Sequence, residues 1–197
     1  MTGIAHVRSM PTKNCQVCGA ELSHHLGRKP KFCGTSCRVR SHRGHHIPVE
    51  LRQLPRWIRH SRKVPITVTG QAASSTNPLT WSDYQTASAA TAGDGLGFVL
   101  NGDGIVCIDL DHCFDGRPTA EAQAVIDSLP ETYIEVSPSG TGLHIWGYAD
   151  LEKGRRFSRN GLSVEIYPSG RYMTVTGKAL QRSGFAHLDL SHLLAKS

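Results

Sequence analysis

The stretch that most constrains this chain is Ile105-Val106-Cys107-Ile108-Asp109-Leu110-Asp111-His112. It reads as a strand that ends in two acids. Strand side chains alternate between faces with a period of two. Cys107, Asp109 and Asp111 therefore share one face, and Val106, Ile108 and Leu110 share the other. The second set suits a core. The first presents two carboxylates about 7 Å apart, from a rise of roughly 3.3 Å per residue. Carboxylates so placed repel unless a cation lies between them, and hard divalent ions such as Mg²⁺ or Mn²⁺ prefer oxygen ligands. The competing reading is a strand that runs out into a surface loop, where Asp is common.

Charge is distributed unevenly around this stretch. Residues 1–63 hold 13 of the 22 Lys and Arg but only two acids, Glu21 and Glu50, whereas residues 64–197 hold 9 basic and 14 acidic residues. A basic arm joined to a mildly acidic body suggests a nucleic-acid partner, because Lys and Arg displace counterions from phosphates. The 197 residues suffice for one core plus a small appendage, and 20 Gly and 10 Pro fit a turn-rich mixed domain. No apolar run approaches the roughly 20 residues of a membrane span, and Met1–Met10 lacks the apolar centre of a signal peptide. A cytoplasmic protein without a membrane partner is expected.

The arm has its own organisation. Residues 1–13 read as disordered. Cys15-Gln16-Val17-Cys18 is followed, after 14 residues, by Cys33-Gly34-Thr35-Ser36-Cys37. Cys15, Cys18, Cys33 and Cys37 have metal-ligand spacing, and four thiolates satisfy the tetrahedral preference of Zn²⁺. With all four positions filled by sulfur, a structural zinc is expected, in a unit spanning 14–43. Arg38, Arg40 and Arg43 lie in a short basic helix after the second pair, where they can meet nucleic acid. This unit resembles small zinc-ribbon or treble-clef fingers. Residues 44–53 read as a linker, and the body is expected to run from 54 to 197.

Within the body, Trp81 to about Ala90 reads as a helix capped by Thr80. Gly97-Phe98-Val99-Leu100 and the opening stretch read as a hairpin joined by Asn101-Gly102-Asp103-Gly104, since Asn-Gly favours tight turns. Thr119 caps an amphipathic helix, Ala120 to Leu129, with Ala124, Val125 and Leu129 inward. Residues 151–161 read as a basic loop, and His187 to Ala195 as a final helix. Tyr133–Val136, Leu143–Trp146 and Val164–Tyr167 read as strands.

Two of those strands repeat the logic of the first. In Leu143-His144-Ile145 and in Val164-Glu165-Ile166, a polar group stands between two core residues. If these strands neighbour Ile105–Asp111 in one sheet, Asp109, Asp111, His144 and Glu165 converge on one face. Carboxylates gathered around two divalent ions are suited to in-line phosphoryl transfer. Ahead of His144, Ser137-Pro138-Ser139-Gly140-Thr141-Gly142 offers hydroxyls and close N–H approach, as anion-binding turns do. Arg171 follows a second Ser-Gly turn and can hold the same phosphates.

These residues resemble the archaeo-eukaryotic primase superfamily, in its phage and plasmid bifunctional primase/polymerase branch. The motif hhhDhD/E matches Val106–Asp111. A small residue two before a strand histidine matches Gly142-Leu143-His144. An hhD/E strand matches Leu162–Glu165 loosely, with Glu in place of Asp, and Arg171–Gly177 follows. The resemblance covers about 54–180.

It implies an α+β fold, a primase/polymerase catalytic core with an RRM-like antiparallel sheet and flanking helices, beside the zinc unit. It implies Asp109, Asp111 and Glu165 as ligands of two Mg²⁺ or Mn²⁺ ions. It also implies His144 at the nucleotide's phosphates, aided by Ser137, Ser139, Gly140, Gly142 and Arg171. The expected partners are nucleoside triphosphates and single-stranded DNA, with Trp57 or Phe32 stacking on bases. No Walker A motif occurs in the 197 residues, so unwinding would come from a helicase in trans. The alternatives are a non-catalytic zinc-containing DNA-binding replication factor and a metal-dependent nuclease built on the same carboxylates.

Overall fold

The computed structural model describes residue 22, residues 32–35 and residues 46–195. The chain divides into two compact units, 1–44 and 45–197. The finger expected at 14–43 therefore falls largely outside the described residues. Cys15, Cys18, Cys37, Arg38, Arg40 and Arg43 lie outside them, and Cys33 is described and exposed.

The second unit is built from two antiparallel sheets. Strands β1 (Trp57–Ser61), β2 (Val64–Ile66), β3 (Gly95–Asn101) and β9 (Ser169–Val175) form a four-stranded sheet in the order β2-β1-β3-β9. The six-stranded sheet holds β4 (Ile105–Asp111), β5 (Tyr133–Val136), β6 (Leu143–Tyr148), β7 (Arg155–Arg159), β8 (Leu162–Tyr167) and β10 (Ala179–Gln181). Its order is β10-β5-β6-β4-β8-β7. The helices are short: α1 (Val49–Arg52), α2 (Tyr84–Ala89), α3 (Ala120–Asp127) and α4 (Ser191–Leu194). The result is a mixed α+β architecture, as expected.

Period-two alternation sorts the six-stranded sheet into two buried faces. Val106, Ile108, Leu110, Leu143, Ile145, Val164 and Ile166 pack on one side with Ala122 and Val125 of α3 and Leu193 of α4. Ile105, Cys107, Tyr133 and Trp146 point the other way, into a second core with Trp57, Phe98, Leu100, Met173 and Val175 of the four-stranded sheet. Trp57, Phe98 and Trp146 are fully buried, and each such side chain contributes about 1.5–3 kcal/mol of transfer free energy. Further along the same face the side chains become polar, at Glu135, His144, Asp109 and Glu165.

The expected hairpin at Asn101-Gly102 does not form. β3 pairs with β1 and β9, and β4 pairs with β6 and β8, so the turn carries the chain from one sheet to the other. Its backbone groups are taken from outside: Gly102 N–H donates to Pro168 O at 3.0 Å, and Gly104 O accepts from Ala149 N–H at 2.9 Å. Arg56 holds the turn from beneath through Asp103 at 2.8 Å. The hairpin signal belonged instead to Asn160-Gly161, with φ of 51° and 82°, which joins β7 to β8. Residues 155–159 are thus an edge strand, not loop.

Other boundaries shift. Residues 49–52, expected as linker, form α1, and Leu51 is fully buried in the second core. Asp83, not Thr80, caps the helix expected from Trp81: its Oδ1 accepts from Thr86 N–H at 2.8 Å. Trp81 precedes that helix, with its ring N–H on Ser74 O. Thr119 caps α3 as expected, but Ala122 is buried and Ala124 exposed. The final helix is confined to Ser191–Leu194. Trp57 is fully enclosed, so it is not available to stack on bases. No helix among the described residues is long and apolar enough to cross a membrane.

Candidate active site

Register brings the polar residues together. Asp109 is the Cα partner of both His144 on β6 and Glu165 on β8. Residues directly opposite in an antiparallel ladder share a face. The row extends at both ends, to Glu135 opposite His144 and to Arg156 opposite Glu165. Five strands thus contribute one residue each: Glu135, His144, Asp109, Glu165 and Arg156. Asp111 stands two residues beyond Asp109 on the same face, opposite Ser163.

The side chains pair along the row. His144 Nε2 lies 3.7 Å from Asp109 Oδ1, and His144 Nδ1 lies 3.3 Å from Glu135 Oε1. Arg156 Nε meets Glu165 Oε1 at 2.9 Å, and Tyr167 O–H donates to Glu165 Oε2 at 2.7 Å. Burial grades along the row: Glu135 is fully buried and His144 nearly so, whereas the Asp109 side chain is 22% exposed. The site is dry at the Glu135 end and open at the Asp109–Asp111 end.

Electrostatics follow from this placement. Burial pushes the Asp109 carboxyl above its ordinary value; His144 pulls it down, Asp111 and Glu165 push it up, and Lys63 pulls it down again. Lys63 comes from the β1–β2 turn, where Arg62 and Lys63 both have positive φ, 47° and 66°. Burial alone would lower the His144 pKa, but the hydrogen bond and charge of Glu135, with Asp109, hold it above the usual value.

The Ser-Gly turn sits beside Asp111. Cys113 and Phe114 N–H both donate to Thr141 O, at 2.8 and 2.9 Å. A Cβ on Gly142 would lie 2.7 Å from Leu110 O and 3.0 Å from Ser137 Oγ, so the close approach of the turn to β4 requires glycine. The hydroxyls are occupied in holding the turn. Ser137 Oγ accepts from Gly142 N–H at 3.2 Å and lies 3.0 Å from Ser139 Oγ, which accepts from Thr141 N–H at 3.2 Å. Gly140 has φ of +79° and open space around its Cα. Arg171 is on β9 of the other sheet, its guanidinium 4.7 Å from the centroid of the Tyr167 ring. It reaches the acids through Tyr167 rather than by direct contact.

Glu135, Arg156 and Tyr167 join the row only in the folded chain. Glu135 carried a legible signal, since Ile134-Glu135-Val136 repeats the pattern of Ile108-Asp109-Leu110. Arg156 did not, because its segment reads as loop.

Among the described residues, no three His, Cys, Asp or Glu side chains are gathered tightly enough to hold an ion as they stand. The donor chemistry nevertheless fits hard divalent cations. Asp109 and Asp111 are partly open carboxylates, and Asp111 and Glu165 oppose the ionisation of Asp109. The Glu165–Arg156 pair is the obstacle, with Glu165 Oε1 held by a 75% exposed Arg156 side chain and Oε2 by Tyr167 O–H.

The fold is an antiparallel α+β core that carries a carboxylate–histidine row across β5, β6, β4 and β8. The family described as bifunctional DNA primase/polymerase, N-terminal, matches residues 34–189, and the chain belongs to it. The match takes in α1, in keeping with its packing in the core. A DNA primase-polymerase of Nitratiruptor phage NrS-1 is 41% identical over 134 residues, covering 63% of this chain and 19% of that protein.

Proposed function

We propose that this chain catalyses template-dependent nucleotidyl transfer in phage or plasmid DNA replication, as primer synthesis, DNA polymerisation or both. A 3′-hydroxyl attacks the α-phosphate of a nucleoside triphosphate, the bond to the β-phosphate oxygen breaks, and pyrophosphate leaves. The observation that carries this reading is the row His144–Asp109–Glu165, with Asp111, in a chain of this family. The phage relative, a primase-polymerase by name, supports it.

When bound, two divalent ions, Mg²⁺ or Mn²⁺, would supply Lewis-acid activation of the hydroxyl and offset charge on the leaving group. Asp109, Asp111 and Glu165 would hold them, Glu165 leaving Arg156 to do so. His144 presents Nε2 toward the open end of the row, where the phosphates would lie. The Ser137–Gly142 turn and Arg171 would border the same triphosphate. The enclosed Glu135–His144 end keeps water from one side of the site.

We further assign 14–43 to a zinc unit with Cys15, Cys18, Cys33 and Cys37 as ligands. Arg38, Arg40 and Arg43 would contact single-stranded template, and a helicase would be a partner. The test is incubation with single-stranded DNA, Mg²⁺ or Mn²⁺ and either nucleotide pool, with and without primer. Metal-dependent products that vanish in Asp109→Ala are expected. DNA binding with no synthesis in any metal overturns the proposal, and degradation of labelled DNA without triphosphates replaces it with a nuclease.

A further inference from the structure

Glu135 is a fully buried carboxylate that the transfer chemistry does not itself require. Enclosing an ionised group is costly unless hydrogen bonds replace its water. Its two oxygens are divided between the sheets. Oε1 faces His144 Nδ1 at 3.3 Å. Oε2 accepts from Gly177 N–H at 2.8 Å and Thr176 N–H at 3.1 Å; the hydroxyls of Tyr133 and Thr176 lie at 3.1 and 3.2 Å but closer to His46 O, at 2.6 Å, and Val136 O, at 2.7 Å. Thr176 and Gly177 follow directly on β9, the strand of the four-stranded sheet that carries Arg171. A carboxylate accepts, and the backbone N–H groups of Thr176 and Gly177 supply Oε2 with two donors.

We infer that Glu135 is a positioning residue. It fixes the His144 ring through Nδ1, so that Nε2 faces the triphosphate, and locks that ring to the strand bearing Arg171. The inference rests on the reading of His144 as a phosphate-facing group. Glu135 touches neither Asp109 nor the open end of the row; it acts through His144. Carboxylates that orient a metal-ligating imidazole are worth about 10–100-fold in affinity or activity when removed, and a loss at the lower end of that range is expected here.

The test is calorimetric titration of dATP and of ATP, each with Mg²⁺, into the full chain and its variants, with nucleotide KM and kcat measured in parallel. Glu135→Gln and His144→Ala are each expected to weaken triphosphate binding about tenfold or more, Glu135→Gln raising KM more than it lowers kcat. The double variant is expected to bind no more weakly than His144→Ala alone, because interacting residues are non-additive. An undiminished effect of Glu135→Gln in the His144→Ala background overturns the inference, since Glu135 would then act on the fold at large. Normal binding by Glu135→Gln beside weakened His144→Ala also overturns it. Normal binding by His144→Ala, or none by the unaltered chain, instead overturns the underlying reading of His144. Should Glu135→Gln fail to fold, Glu135→Asp keeps the carboxylate but withdraws it from His144 Nδ1, which it now meets at 3.3 Å. A twofold to fivefold weakening that disappears with His144→Ala supports the inference, and no change overturns it.

Discussion

Asp109 and His144 stand opposite one another across the β4–β6 ladder, with the imidazole Nε2 3.7 Å from the carboxylate Oδ1. The ladder register alone creates this pairing, and a slip of one residue would turn either side chain into the opposite core. The apolar neighbours of both, Ile108, Leu110, Leu143 and Ile145, therefore hold the pair in place by packing on the other face.

On the proposed mechanism, replacing Asp109 is expected to separate catalysis from folding. Its carboxyl is disfavoured in its charged form by burial, so Asp109→Asn is expected to melt within a few degrees of the parent or above it. Nucleotide incorporation is expected to fall by on the order of a hundredfold or more, from the loss of metal and transition-state stabilisation. Incorporation assays in Mg²⁺ and Mn²⁺, run beside thermal melts, check both halves.

His144 links stability to pH. Despite burial, Glu135 and Asp109 raise its pKa above the ordinary value of 6.5, so the folded state binds this proton more tightly than the unfolded state. The stabilisation is fully present below pH 6.5 and is lost as pH rises through the folded value. Melting curves of the unaltered chain and His144→Asn are expected to differ in pH slope above pH 6.5. Parallel curves there would contradict the assignment.

Leu51 tests where the body begins. A residue in a linker tolerates truncation, whereas a fully buried one leaves a cavity. Leu51→Ala is expected to cost about 2–5 kcal/mol in urea unfolding, with Val49→Ala, at an exposed position of the same helix, as the near-neutral control.

The Ser-Gly turn distinguishes two glycines. Gly142→Ala drives a methyl toward the backbone Leu110 O, and about 2–3 kcal/mol of destabilisation is expected. Gly140→Ala meets no atom within 4 Å but keeps φ at +79°, for which about 1 kcal/mol is expected. Equal losses at both positions in chemical denaturation would contradict the close approach of Gly142 to β4.

The proposed zinc unit predicts one zinc per chain by elemental analysis, lost in Cys18→Ser. Removing the ion with a strong chelator is expected to weaken single-stranded DNA binding, with a smaller effect on nucleotide affinity. Titrations with labelled DNA at two salt concentrations check this, because phosphate contacts weaken steeply with salt.

Much of the site was legible in the chain. Strands have a period of two, so an acid or histidine between two core residues announces itself, and Asp109, His144 and Glu165 were found that way. Glu135 obeys the same rule, directly ahead of the Ser137–Gly142 turn, but its role at Nδ1 of His144 depends on the β5–β6 register. Arg156 was illegible, since an edge strand of charged residues carries no apolar alternation. The two Asn-Gly dipeptides show the limit of local signals. Both allow a tight turn, but Gly102 and Gly104 take their backbone partners from Pro168 and Ala149, just beyond the ends of β8 and β6 and far along the chain.

What the sequence determined by itself was the alternation of each strand, the glycines at close turns and the candidate acids, because these follow from the local geometry of a single segment. The tertiary structure decided which strands are neighbours, that β3 and β4 part into separate sheets, and that Glu135, His144, Asp109, Glu165 and Arg156 form one row. Those outcomes depend on register between segments distant in the chain, which is set by the packing of two cores at once and is written in no single stretch.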